Sequence, residues 1–125
     1  MEMNILGIDD NEDILKLLDT IITSKGHDFT QAGNGKEGVK LIEKQHFDAV
    51  LLDLAMPDFS GLDVIESLKK SNILKDQKII IFTASSATDK EINELLQNEG
   101  VYLCVRKPVD IKFLIKKMEE MVKSH

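Results

Sequence analysis

The chain has 125 residues, 42% apolar and 30% charged, which suits one globular domain with a sizeable core over residues 1–125. Sixteen basic against 22 acidic residues give a net charge of −6, which argues against nucleic acid as a direct partner, because phosphate binding needs a basic stripe. No apolar run is long enough to span a bilayer, the N-terminus has acids where a signal peptide has basic residues, and the single cysteine, Cys104, excludes an internal disulfide; together these point to a cytoplasmic chain with no membrane segment.

Apolar runs alternate with helix-period segments from end to end. Ile5, Leu6 and Ile8 predict a first strand. Asn11 can cap a helix carrying Ile14, Leu15, Leu17, Leu18, Ile21 and Ile22, ended by Gly26. His27 to Ala32 reads as a weaker second strand, and Lys36 to Gln45 as a short helix. Phe47 to Asp53 is the third strand and Leu62 to Lys70 the next helix. Lys78 to Thr83 is the fourth strand, Asp89 to Asn98 a helix closed by Gly100, Val101 to Val105 the fifth strand, and Asp110 to Val122 the last helix. Five strands alternating with five helices predict an α/β fold with a parallel sheet covered on both faces.

In such sheets the site lies beyond the carboxyl ends of the strands. Those ends carry Asp9 and Asp10, then Asp53, then Thr83, then Lys107 before Pro108. Parallel topology brings them to one edge. Asp53 stands between the apolar runs Val50-Leu51-Leu52 and Leu54-Ala55-Met56, where an unpaired carboxylate is expensive or shifts its pKa. Three carboxylates at one edge repel. A hard divalent cation with oxygen ligands, or the Lys107 ammonium, relieves that repulsion. A metal, a lysine and a hydroxyl converging on one carboxylate are the parts that stabilise a transferring phosphoryl group, with Asp53 as nucleophile.

These residues resemble the receiver domains of response regulators, the CheY-like family of two-component signalling. The resemblance spans Ile5 to Val122. It rests on Asp9-Asp10, on D-x-x-M-P-x-x-x-G from Asp53 to Gly61, on Thr83-Ala84, and on Lys107-Pro108. It implies a doubly wound (βα)5 flavodoxin-like fold with strand order 2-1-3-4-5. It implies that Asp53 accepts a phosphoryl group from a phosphohistidine on a histidine kinase or phosphotransfer protein. Mg²⁺ is then held by Asp10, Asp53 and the Ala55 carbonyl, with Asp9 in support, and Thr83 and Lys107 take phosphoryl oxygens. The family's output is a changed protein-binding surface on the fourth helix, fifth strand and fifth helix, with homodimerisation on phosphorylation as a further option. Phe113 falls off the apolar stripe of the last helix and is expected to be partly exposed there. The pattern reads as a receiver without an output domain, and as a switch rather than a turnover enzyme.

One position departs from the family. Three residues before the lysine, the usual aromatic toggle is replaced by Cys104, with Tyr102 two residues earlier on the same strand face. Signalling is therefore expected through Thr83 and the loop after it, or with Tyr102 as substitute. Ala55 and Ser85, small and uncharged, flank the acceptor where phosphoryl lifetime is tuned. The segment Gly33 to Gly38 matches G-x-G-x-x-G but follows the polar second strand, so Asn34-Gly35 reads as a tight turn rather than a dinucleotide site. Cys104 reads as a small buried hydrophobe, and His27, His46 and His125 as scattered residues. Three rival readings have identifiable signatures. A degenerate receiver used only for binding would lack part of the acidic and lysine set. A haloacid-dehalogenase-type phosphatase needs a second aspartate where Ala55 stands. In a flavodoxin-like FMN binder, Asp9-Asp10 would repel the flavin phosphate.

Overall fold

The computed structural model describes all residues except Met1, Ser85, Val109 and His125. Ser85, one of the two small residues expected to flank Asp53, therefore lies outside the described residues. The order is β1 (Asn4–Ile8), α1 (Glu12–Ser24), β2 (Asp28–Ala32), α2 (Gly35–Lys44), β3 (Ala49–Leu52), α3 (Gly61–Lys70), a 3-10 turn (Leu74–Asp76), β4 (Ile79–Thr83), α4 (Asp89–Leu96), β5 (Val101–Arg106) and α5 (Ile111–Ser124). The strands form one parallel sheet in the order 2-1-3-4-5, as expected. Strand β3 is shorter than the apolar run that announced it: Asp53 lies just past its end.

Successive residues of the central strands point to opposite faces, and both faces are buried, which is why β3 and β4 are apolar throughout. Ile8, Val50, Leu52, Ile79 and Ile81 pack with Val39 and Ile42 of α2, Val64 and Leu68 of α3, and Ile92 of α4. Ile5, Leu51, Ile80 and Phe82 pack with Leu18 and Ile22 of α1 and Leu114, Ile115 and Met118 of α5. Each such side chain, taken fully out of water, contributes about 2 kcal/mol.

Local chemistry sets the helix starts. Asn11 accepts from the N–H groups of Asp13 and Ile14, and Ser60 and Thr88 form reciprocal capping boxes with Asp63 and Glu91. Asn34 is the cap of α2, accepting from the Glu37 N–H, and not part of a tight turn. The glycines of Gly33–Gly38 answer to packing as well. A Cβ on Gly38 would sit 2.5 Å from Ile8 Cδ1, and one on Gly35 would sit 2.7 Å from the Phe59 carbonyl oxygen.

Strand β5 corrects the sequence reading. Ile79 of β4 pairs with Val101, but Ile80 pairs with Leu103, so Tyr102 is an extra residue in the ladder. Such a bulge breaks the two-residue alternation. Tyr102 and Leu103 both pack on the α1–α5 face, whereas Cys104 packs on the α2–α4 face, half-buried. Tyr102 and Cys104 thus lie on opposite faces. The option that Tyr102 replaces the aromatic from the same strand face as Cys104 thereby loses its geometric premise. Phe113 is about half exposed, as expected, and so is Leu17, which the helical spacing had placed with the apolar residues of α1.

His27 is a core element that sequence reasoning passed over. It is 3% exposed. Its Nδ1 accepts from the Met3 N–H at 2.9 Å, so Nε2 carries the ring proton and donates to Glu119 Oε2 at 2.8 Å. The ring therefore clamps the start of β1 to α5. Replacing it by alanine orphans a buried N–H and opens a cavity, so His27→Ala is expected to lower unfolding free energy by about 1–3 kcal/mol. Urea denaturation checks this; a loss within about 0.5 kcal/mol, as for an ordinary surface change, sinks the clamp.

Candidate functional site

Three of the site residues are held by continuation of the sheet's own ladder. The Asp9 N–H donates to the Ala32 carbonyl at 3.1 Å, the Asp53 N–H to the Ile8 carbonyl at 3.0 Å, and the Lys107 N–H to the Thr83 carbonyl at 2.9 Å. Each residue beyond a strand end is thereby fixed against the neighbouring strand. The five predicted side chains do converge. Asp9, Asp53 and Thr83 are buried, Lys107 is mostly buried, and Asp10 is exposed at the mouth. Among the described residues, Asp9, Asp10 and Asp53 each offer a carboxylate oxygen, and these oxygens lie within 4.8 Å of one another.

Asp53 is the centre of the arrangement. Its Oδ1 accepts from the Thr83 hydroxyl at 2.7 Å and from the Ala55 N–H at 3.3 Å. Its Oδ2 faces the Lys107 ammonium at 4.0 Å. That ammonium is closer to Asp9 Oδ2, at 2.7 Å, and lies over the Phe82 ring at 5.1 Å. Asp9 Oδ1 also accepts from the Asn11 N–H at 2.9 Å. Lys107 is therefore paired first with Asp9 and only secondarily with Asp53. Burial, reinforced by the Asp9 charge, pushes the Asp53 carboxyl above its ordinary 3.8, against the opposing pull of the Thr83 hydroxyl, Lys107 and the Ala55 N–H.

The loop beyond Asp53 approaches it closely. Gly61 donates to the Leu54 carbonyl at 3.1 Å, and a Cβ there would stand 2.4 Å from the Asp53 carbonyl oxygen. This explains the glycine of the D-x-x-M-P-x-x-x-G pattern by contact. Met56 is buried beneath the loop, and Asp58 takes a positive φ of 65°, which aspartate tolerates. On the other flank, Arg106 Nη2 donates to the Ala87 carbonyl at 2.7 Å and lies 3.4 Å from Asp89 Oδ1. Arg106 thus joins the end of β5 to the β4–α4 loop and the first turn of α4. Sequence reasoning missed it, because nothing in a lone exposed arginine marks a partner 19 positions away.

Residues 5–119 match the family described as the response regulator receiver domain. The chain belongs to that family. It is 28% identical over 125 residues to the polar-differentiation response regulator DivK of Brucella ovis, covering all of this chain and 97% of the relative. It is 30% identical over 122 residues to the CAI-1 autoinducer sensor kinase/phosphatase CqsS of Vibrio cholerae, but spans only 18% of that protein. Among solved structures it superposes on the response regulator TrrA of Thermotoga maritima, determined in complex with Mg²⁺-BeF, with a TM-score of 0.80 at 30% identity, covering 97% and 99% of the two chains. It is a receiver domain of two-component signalling, with the CheY-like fold. No described helix is long and apolar enough to cross a membrane.

The raised Asp53 pKa has a consequence for stability. The folded value lies above the unfolded one, so ionising Asp53 opposes folding. Its full stability is present below the ordinary carboxylate value and is lost as pH rises through the raised value. Asp53→Asn keeps an oxygen for Thr83 without the charge. In metal-free buffer this variant is expected to melt above wild type at neutral pH, with the gap closing as pH falls through that window. Paired thermal melts across pH check this; a variant that melts below wild type at neutral pH overturns it.

Proposed function

We propose that this receiver is a Mg²⁺-dependent phosphoacceptor switch with Asp53 as acceptor. The observation that carries the reading is the state of Asp53: a buried carboxylate with a raised pKa, one hydroxyl donor and one ammonium, at the end of a central strand. An Asp53 carboxylate oxygen attacks the phosphorus of a phosphohistidine on a histidine kinase or phosphotransfer protein. The C–O–P bond forms as the P–N bond breaks, and the imidazole leaves. The Thr83 hydroxyl, which now donates to Asp53, and the Lys107 ammonium are the donors for phosphoryl oxygens.

The donor set fits a hard divalent cation. The three clustered carboxylates face one ammonium among the described residues around them, which leaves negative charge in a largely buried pocket. Asp10, Asp53 and the Ala55 carbonyl are the expected ligands, with Asp9 engaged by Lys107. Bound there, Mg²⁺ supplies charge neutralisation for the phosphoryl group. The kinship to DivK, a response regulator, supports the signalling reading, and the Mg²⁺-BeF complex of TrrA supports the metal. Signal output is a change of protein-binding surface, read by a downstream protein at α4, β5 and α5.

The test is incubation with Mg²⁺ and a small-molecule phosphodonor, followed by intact mass. Wild type is expected to gain one phosphoryl group, to lose that gain when the metal is chelated, and to lose it in Asp53→Asn. Labelling of Asp53→Asn equal to wild type would falsify the assignment.

A further inference from the structure

Beside the acidic pocket runs a second concavity, of about 480 Å³. Its walls come from both loops that leave the phosphoacceptor edge. Leu54 directly follows Asp53, and Ala87 lies in the loop after Thr83. Leu62, at the start of α3, is 51% exposed and forms one lip. Glu91, Glu94 and Leu95 of α4 form the other. Their spacing, i, i+3 and i+4, puts them on one helix face, while Ile92 points into the core. The groove thus presents three leucines, Leu54, Leu62 and Leu95, beside Ser86 and Asn98, and its α4 rim carries two carboxylates.

Among the described residues neither Glu91 nor Glu94 forms an ion pair. The Glu91 carboxylate is instead held by the Thr88 N–H and hydroxyl at 3.0 Å each, which fixes its charge at the groove edge. A second copy of this chain, at −6 overall, brings mostly the wrong sign of charge, the lysines of its α5 being interrupted by Glu119 and Glu120. A basic segment brings the right one.

We propose that the groove between α3 and α4 docks a basic amphipathic helix of a partner protein. Its apolar face fills the space over Leu54, Leu62 and Leu95, and its lysines or arginines meet Glu91 and Glu94. This is helix-in-groove recognition, with i, i+3, i+4 anchors and charge complementarity across the rim. It shares α4 with the proposed α4–β5–α5 output surface but takes nothing from β5 or α5, and because the selection uses the unmodified chain its outcome is independent of whether Asp53 accepts phosphate.

The experiment is panning of a phage-displayed random-peptide library against the full chain, then fluorescence anisotropy with the enriched synthetic peptides. The expected winners are basic and amphipathic, and their affinity falls as salt rises. Leu62→Glu and Glu94→Lys, both at exposed positions, are each expected to weaken binding by about tenfold or more, whereas Phe113→Ser on α5 leaves it unchanged. Far-ultraviolet circular dichroism confirms that the variants fold. The proposal is overturned by a selection that enriches nothing, by winners that are acidic or uncharged, or by binding indifferent to Leu62→Glu and Glu94→Lys. Light scattering that shows a dimer dissociated by Leu62→Glu assigns the groove to self-association and overturns it equally.

Discussion

The Lys107 ammonium has two carboxylates within reach and is bonded to one of them. Its 2.7 Å contact with Asp9 and 4.0 Å distance to Asp53 divide the edge of the sheet into a close ion pair and a carboxylate held mainly by neutral donors. A buried carboxylate fully paired with lysine would be a poor nucleophile, because its charge would already be neutralised. Asp53 instead keeps a hydroxyl donor on one oxygen and a distant cation near the other, with burial raising its pKa. Its ionisation works against folding, and a ligand that binds the ionised form gains what the fold withholds. The geometry that makes this possible comes from the backbone. Asp9, Asp53 and Lys107 are each locked to a neighbouring strand by a ladder hydrogen bond, so their side chains converge without depending on loop order.

Much of this was legible in the sequence. The central strands of a parallel sheet are apolar on both faces, so β3 and β4 stand out as runs, and the polar residues that end them, Asp53 and Thr83, meet at one edge of the sheet. Helix caps at Asn11, Ser60 and Thr88 obey local rules that need no tertiary knowledge. What escaped was anything decided by distant partners. His27 looks like a scattered histidine because the residues it joins, Met3 and Glu119, lie 24 and 92 positions away. The register of β5 escaped for a different reason. Val101 to Val105 is apolar or half-buried at every step, so no polar alternation reveals which residue is doubled. Only the pairing with β4 shows that Tyr102 is the extra one.

That bulge also decides what lies between Asp53 and the surface beside α4. With Tyr102 turned to the α1–α5 side and a small thiol at Cys104 on the α4 side, the strand beside α4 offers no aromatic lever at the position where this family usually has one. The described contacts supply another connection. Thr83 bonds Asp53 through its hydroxyl and Lys107 through its carbonyl; the next residue back, Arg106, holds the Ala87 carbonyl and faces Asp89. Thr83 is therefore connected to the β4–α4 loop twice, through the chain itself and through Lys107 and the Arg106 guanidinium. The loop carries Ala87 into the wall of the α3–α4 groove, while Leu54 on the opposite wall is bonded through its carbonyl to Gly61, against the Asp53 backbone. Both walls are thus one or two contacts from Asp53. Where this family usually has a rotating ring, this chain has an arginine hydrogen-bonded to the Ala87 carbonyl, which ties the end of β5 to the wall of the α3–α4 groove.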